Sequence, residues 1–368
     1  MADPTLVTAH DIWGRAGNTI WEAEAFGEAP SFYPVYGLGN AFSHSPLDLV
    51  RWRGELHLNE IVARRIPRAG PRRYWSGVET LDEEVLRVGA PVTSTRTLRD
   101  RDAFVAAICA ALRADVASIE AAHPGHTNVI LCGGRDSLNL LLLPWTNPVL
   151  AVSAAPNFEL ARGFVRDNGL GIDVVEIADR DASQLDAEVL ANMCRLDLRH
   201  CRWGGELRHM AQELGQRALF WKGQLADTFM TPYWRAYTHP PKLRRLVKIP
   251  GLRALTSHPL YQTFFHWSLY HRGAMWQGTH LSLLRDITGA LFLSAYHGPA
   301  MTAVLGQVDL AAAVTADIRP LVARALTGVD VRYPTANPGP PPSSIREGIS
   351  GVEHFLEVAR RTGLRVRR

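Results

Sequence analysis

Several things are scarce in this chain of 368 residues, and each scarcity removes a class of function. Its four cysteines (Cys109, Cys132, Cys194 and Cys201) are too few for a disulfide scaffold, so reduced thiols and a cytoplasmic setting are expected. No apolar run approaches the ~20 residues that cross a bilayer, so no membrane partner is expected. The first residues carry Asp3, His10, Asp11 and Arg15 rather than a basic stretch followed by an apolar one, so no secretory signal is expected. No internal repeat is found. Charge of one sign is not abundant either: the formal balance is +4, which suits anionic substrates without marking a nucleic-acid reader. The basic clusters Arg64-Arg65, Arg72-Arg73 and Lys242-Leu-Arg-Arg245 belong to no recognition motif, and nucleic acid is not expected as a partner.

What is present reads as an ordinary globular composition, 46% hydrophobic and 21% charged. Residues 1 to about 95 are rich in Gly, Pro and aromatics, with short alternating stretches at Asp48–Arg53 and Leu56–Glu60. They predict a small β-rich N-terminal lobe, 1–98. Asp100 then caps a helix with Phe104, Ile108, Leu112, Val116 and Ile119 on one face, stopped by Pro124-Gly125. From there strands alternate with helices. Strands are predicted at Asn128–Cys132, Pro148–Ser153, Gly171–Ile177 and Arg217–Trp221. Helices are predicted from Ser137 to about Pro144 and over Asn157–Asp167. This alternation predicts an α/β fold, a parallel sheet with helices on both faces. Beyond about residue 230 strand signals fade and the C-terminal part reads as helical. Helices are predicted at Leu260–Tyr270, Ala300–Leu305, Ile318–Leu326 and Ile349–Arg361, with basic Arg360, Arg361 and Arg365–Arg368 suiting the C-terminal end of the last. Asn337–Ser344 is a Pro-rich loop.

The chemistry concentrates in Val129-Ile-Leu-Cys-Gly-Gly-Arg-Asp-Ser137. An apolar strand ends in two glycines, then an acid and a hydroxyl, at a helix start. Backbone N–H groups in such a turn favour an anion. An acid in that place makes sense once a divalent cation bridges carboxylate and phosphate. The blander reading is a strand-to-helix turn with a capping Asp. Gly-Lys-Ser/Thr is absent, so this is no Walker A loop, and the glycine spacing is not that of a dinucleotide fold.

Cys132-Gly-Gly-Arg-Asp-Ser137 resembles the Ser-Gly-Gly-x-Asp-Ser loop of the N-type ATP pyrophosphatase superfamily. Lys222-Gly-Gln-Leu-Ala-Asp-Thr-Phe229 resembles the Gly-Glu-Gly-Ala-Asp-Glu loop in the synthetase domain of asparagine synthetases, at a similar spacing from the first loop. Leu291-Phe-Leu-Ser-Ala-Tyr296 is similar to their Pro-Phe-Leu-Asp. Asp317–Gly328 is similar to a segment of the asparagine-synthetase-like lasso-peptide cyclases. The resemblance covers roughly residues 100 to 330. Residues 50–80, ending Arg73-Tyr-Trp75, are similar to the junction after an amidotransferase domain, making 1–98 a remnant of one and 99–368 the ATP pyrophosphatase domain.

The resemblance implies an adenine nucleotide alpha hydrolase-like fold and an ATP- and Mg²⁺-dependent ligase. That enzyme would adenylate a carboxylate and form an amide on a small molecule or peptide. Cys132, Gly133, Gly134, Ser137 and Gly223 would line the phosphates, and Asp136 and Asp227 would share Mg²⁺. The backbone around Val152, Ser153 and Ala154 would meet the adenine. The departures are equally specific. Cys132 replaces the first Ser, Gln224 the loop Glu, Leu225 the third Gly, Thr228 the final Glu, and Ser294 the Asp of Pro-Phe-Leu-Asp. Residues 337–344 hold no lysine. Gln224 therefore occupies a catalytic position without acid–base capacity, and His258, His266 or His271 would supply the base.

Met1-Ala2 stands where a glutaminase cysteine would be, so the nucleophile is expected to be free ammonia, ammonia from a partner, or an amine of the substrate itself. Two other readings stay open: a degenerate nucleotide-binding scaffold, and a nucleotide-consuming enzyme with another acceptor, such as a toxin or nucleic-acid modifier. Cys132 at a helix start could be an activated thiol or a small-residue replacement. Cys194, His200, Cys201 and His209 fit no compact zinc module. The aromatic cluster Phe264, Phe265, Trp267, Tyr270 and Trp276 could be core or could line an acceptor pocket.

Overall fold

A computed structural model describes residues 97–177, 203–232, 284 and 288–338, with short pieces at 7–8, 36–38, 41–43, 53–57, 79–80 and 365–367. Five strands form one all-parallel sheet: β1 Thr127–Leu131, β2 Val149–Ser153, β3 Asp173–Glu176, β4 Ala218–Lys222 and β5 Leu291–Ser294. Their spatial order is β5-β4-β1-β2-β3. The chain therefore winds outward from β1 to β3, then returns to the other side of β1 for β4 and β5. The reversal falls between β1 and β4; in open parallel sheets ligands bind at such a point, beyond the carboxyl ends of the strands.

Alternation along each strand sends neighbours to opposite faces. Ile130, Ala151, Leu219, Trp221 and Leu293 enter one buried cluster, shared with helices α1 Arg101–Ala122, α2 Asn157–Asp167, α4 Pro299–Gln307 and α5 Arg319–Thr327. Val129, Leu131, Val152, Phe220 and Phe292 enter a second cluster under α3 Gly204–Glu213, where the Phe220 and Phe292 rings stack at 4.5 Å. Helices thus cover both faces, and the α/β class expected from the sequence is the one observed.

Asp100 caps α1, accepting from the Ala103 amide at 2.8 Å. Phe104, Ile108, Leu112, Val116 and Ile119 are all buried, the stripe that the spacing predicts. Each such side chain stabilises by about 1.5–3 kcal/mol before entropy is charged against it. Beside that stripe Asp115 crosses to α4 and accepts from the Ala300 and Met301 amides at 2.9 and 3.0 Å. At the far end of α1, Glu120 accepts from Asn128, Thr146 and Asn147. Asn128 in turn accepts from the Trp221 indole at 2.8 Å. These buried acids are paired, as buried acids must be.

Three expectations are corrected. The helix predicted from Ser137 to about Pro144 is one α-turn, Arg135–Leu138, followed by a 3₁₀ turn over Asn139–Leu142. Leu138 and Leu140–Leu143 are buried all round, and a tight turn places such a run in the core as well as a regular helix does. Strands do not end near residue 230: Leu291–Ser294 is β5, paired with β4 along its whole length. Arg365–Arg367 does not end a helix but forms a short strand beside Glu55–His57. In the N-terminal portion, Val7–Thr8, Tyr36–Leu38, Ala41–Ser43 and Glu79–Thr80 make a small antiparallel sheet. The helices expected at Leu260–Tyr270 and Ile349–Arg361 lie outside the described residues, as do Cys194, His200, Cys201 and the aromatic cluster at 264–276. Among the described residues, no helix is long and apolar enough to cross a membrane.

Candidate functional site

The two loops singled out in the sequence leave β1 and β4, the strands that flank the reversal, and so meet at the carboxyl end of the sheet. Gly134 adopts φ 149°, a conformation that suits glycine, and turns the chain into Arg135–Leu138. Gly223, the first residue after β4, lies against the peptide of Asp136 and Ser137. A Cβ at Gly223 would come within 2.5 Å of the Asp136 carbonyl oxygen. Only a bare Cα lets the loops approach this closely.

That approach sets Asp136 beside Asp227, which lies in the short helix Ala226–Met230. Burial, then the neighbouring Asp227 charge, pushes the Asp136 carboxyl up to about 6, against the pull of Arg319 and Arg135. Crowded, half-buried carboxylates attract cations, and a hard divalent ion prefers such oxygen donors. Asp136 and Asp227 offer oxygen donors of the kind that Mg²⁺ takes. No group of three or more Asp, Glu, His or Cys able to hold a metal by itself occurs among the described residues.

Cations already present belong to the protein. Arg319, at the start of α5, donates to Asp136 through one nitrogen and grips Asp317 through two others, at 2.9 and 2.7 Å. Arg135 donates to the same Asp317 at 2.8 Å and lies over the Tyr333 ring. Burial works against the Arg319 charge, but Asp317 and Asp136 more than offset it and hold the guanidinium protonated. The same pairing holds the Asp317 carboxyl below the usual carboxylate range, although burial alone would raise it. The Tyr333 hydroxyl donates to the Arg135 carbonyl at 2.6 Å, and the Asn337 side-chain oxygen accepts from the Arg135 amide at 2.8 Å. Sequence reasoning assigned none of these five residues a role. They lie 182 to 202 residues from the loop in the case of Asp317, Arg319, Tyr333 and Asn337, and no local pattern links them to it.

The remaining predicted site residues fall as follows. Gly133 is exposed at the turn, and its carbonyl accepts from Asn157 at 3.0 Å. The Ser137 hydroxyl is buried and donates back to the Gly134 carbonyl at 2.8 Å. Val152 is fully buried, and its carbonyl accepts from the Cys132 amide. The Ser153 hydroxyl donates to the Cys132 carbonyl at 2.6 Å, and the Ser153 carbonyl accepts from the Ile177 amide. Gln224 is half-buried between the β4 and β5 ends, its carbonyl accepting from Ser294 at 3.0 Å while its side-chain oxygen is enclosed without a hydrogen-bond donor among the described residues. Leu225, where related loops carry glycine, takes a left-handed φ of 79° with its side chain buried. His258 lies outside the described residues, as do His266 and His271. His209 is on the surface beside Glu213.

The activated-thiol reading of Cys132 is corrected. Its side chain points into the main core, and burial pushes the thiol up to about 12, where no useful thiolate exists at neutral pH. A serine lost at this position therefore removes no donor from the open side of the loop.

No family model matches the chain, and no curated protein matches it.

Proposed function

We propose that the junction of these two loops binds ATP with Mg²⁺ and that the chain is an asparagine-synthetase-like ligase, on an adenine nucleotide alpha hydrolase-like domain. The observation that carries this reading is the convergence of two separated loops, each with one aspartate, at the point where strand order reverses. Phosphate-binding loops of this kind cleave ATP between the α- and β-phosphates in the enzymes that Cys132–Ser137 and Gly223–Asp227 resemble.

Asp136 and Asp227 would hold the Mg²⁺, which when bound neutralises charge on the pyrophosphate leaving group. Gly133, Gly134 and Ser137 would line the phosphates. A substrate carboxylate oxygen would form the new bond to the α-phosphorus as the bond to pyrophosphate breaks. An amine would then form the C–N bond, and AMP would leave while a base removes the amine proton. Gln224 cannot be that base; its enclosed side-chain oxygen can accept an N–H and so orient the amine. The small N-terminal sheet would be what is left of an amidotransferase domain, and the amine would come from the substrate, free ammonia or a partner. The cytoplasm, with its ATP, is the compartment this reading requires.

The test is incubation of the purified full chain with Mg²⁺, ATP labelled at the α-phosphate and pools of amino acids and peptides. Release of AMP with pyrophosphate is the expected result; ADP as the product, or no turnover with any acceptor, would sink the ligase reading. A second reading, a nucleotide-binding scaffold, is favoured by one observation: Asp136 already has an internal cation in Arg319. Calorimetric ATP binding with no turnover would support it.

A further inference from the structure

We propose that residues 317–337 keep this junction self-occupied, with the Arg319 guanidinium standing in for the divalent cation against Asp136. The inference rests on the Mg²⁺–nucleotide reading of the junction and deepens it.

The backbone at the start of α5 is tied to both loops. The Ile318 amide donates to the Met230 carbonyl, at the end of the helix that carries Asp227, at 2.9 Å. The Arg319 carbonyl accepts from Asn139, just past the β1 loop, at 3.3 Å. The side chain therefore starts between the two loops. Asp317 grips its Nε and one terminal nitrogen in a two-pronged pair, so the other terminal nitrogen is directed at Asp136. The guanidinium is nine-tenths buried while the Asp136 carboxylate keeps about a third of its surface open, so the arginine is held by the protein and the carboxylate still faces solvent on one side.

The same segment treats the glycine turn in the complementary way. Residues 329–338 run back across the loop, fixed by Asn168 to the Arg332 backbone at 2.8 Å and by Tyr333 to the Arg135 carbonyl. Asn337 ends this strap with its side-chain oxygen on the Arg135 amide, 3.0 Å from where a Cβ on Gly134 would be. One stretch of chain thus supplies a cation to the acidic pair and an acceptor oxygen to the turn. A metal–phosphate pair brings the same two features, a cation for the carboxylate and acceptor oxygens for the turn. A free divalent ion must compete with Arg319 for Asp136, whereas a metal–nucleotide complex replaces both internal contacts at once.

The probe is Mn²⁺, followed by electron paramagnetic resonance on the nucleotide-free full chain. The wild type should leave most Mn²⁺ in the free aqueous signal, and Arg319→Gln should bind it on the order of ten-fold tighter. Arg319→Met, which removes the same charge and keeps an apolar stem in its place, should give a gain of similar size. Combining Asp136→Asn with Arg319→Gln should erase the gain. If Arg319→Gln fails to fold, as judged by circular dichroism, Arg319→Met decides. No gain in the folded single variants, or a gain that survives Asp136→Asn, overturns the proposal. A parallel titration of the wild type with Mn²⁺ and ATP separates the two failures. Binding there without a gain in the variants defeats only the stand-in role. A gain in the variants with no ATP binding by the wild type defeats the nucleotide reading.

Discussion

Gly223 packs flush on the peptide that joins Asp136 to Ser137, so the end of β4 and the turn after β1 share one surface with no side chain between them. A methyl at Gly223 would meet backbone rather than a flexible side-chain tip, and backbone does not yield cheaply. Gly223→Ala should cost about 1–3 kcal/mol in unfolding experiments, the usual range for overpacking. It should also weaken ATP binding, because the displaced loop carries Asp136 away from Asp227. Unchanged ATP affinity in a folded Gly223→Ala protein would separate the close approach from the site.

Asp136→Asn removes a carboxylate that burial and Asp227 already disfavour, while Arg319 keeps its two-pronged hold on Asp317. The fold should therefore survive. Turnover to AMP and pyrophosphate should fall by about 10²–10³, the scale on which loss of one charge-stabilising group is felt. The assay pairs a melting curve with AMP release. Loss of both together would mean that Asp136 serves the fold rather than a ligand.

The strands were legible because each is a buried run between turn residues: β1, β2 and β4 fall within a residue of their predicted bounds, and α2 matches Asn157–Asp167 at both ends. β5 was hidden because Leu291–Ser294 is only four residues long and buried on both faces, a pattern shared with helix interiors. The carboxylates of the candidate site were legible from loop patterns, but their partners were not. Arg319 meets Asp136 across 183 residues of chain, and Asn337 looked like the start of a linker. Ion pairs of that span have no periodicity; only the folded loops bring them together.

Leu225 tests how two opposing terms balance. Its left-handed φ of 79° costs a side-chain-bearing residue about 1–2 kcal/mol, which Leu225→Gly would relieve. The same change strips a buried side chain from the core, worth about 1.5–3 kcal/mol with a cavity term added. Burial wins, so Leu225→Gly should lower stability in denaturant titrations. A stabilised variant would mean that the left-handed turn carries more strain than the core gains from the leucine.

Cys132 should resist alkylation. Burial pushes the thiol up to about 12 and outweighs the Ser137 hydroxyl, which pulls it down. Native protein treated with iodoacetamide near neutral pH should show no label on the peptide containing Cys132, and unfolded protein should show it fully. Rapid labelling in the native state would restore the thiol as a nucleophile.

Asp115 gives the fold a pH dependence of defined sign. Burial is the larger influence and pushes its carboxyl up to about 6, although the Ala300 and Met301 amides pull it down. A carboxyl that is raised in the folded state binds its proton more tightly there than in the unfolded chain, where it titrates near ~3.9. Its contribution to stability is therefore fully present below that unfolded value and is lost as pH rises through about 6. The full swing is on the order of 3 kcal/mol. Asp115→Asn removes the titration while keeping one acceptor for the two amides. The difference in unfolding free energy between wild type and Asp115→Asn should thus move toward the wild type as pH falls from about 7 to about 4. A constant difference across that window would show that the folded carboxyl binds its proton no more tightly than the unfolded one, and that the α4 amides offset burial.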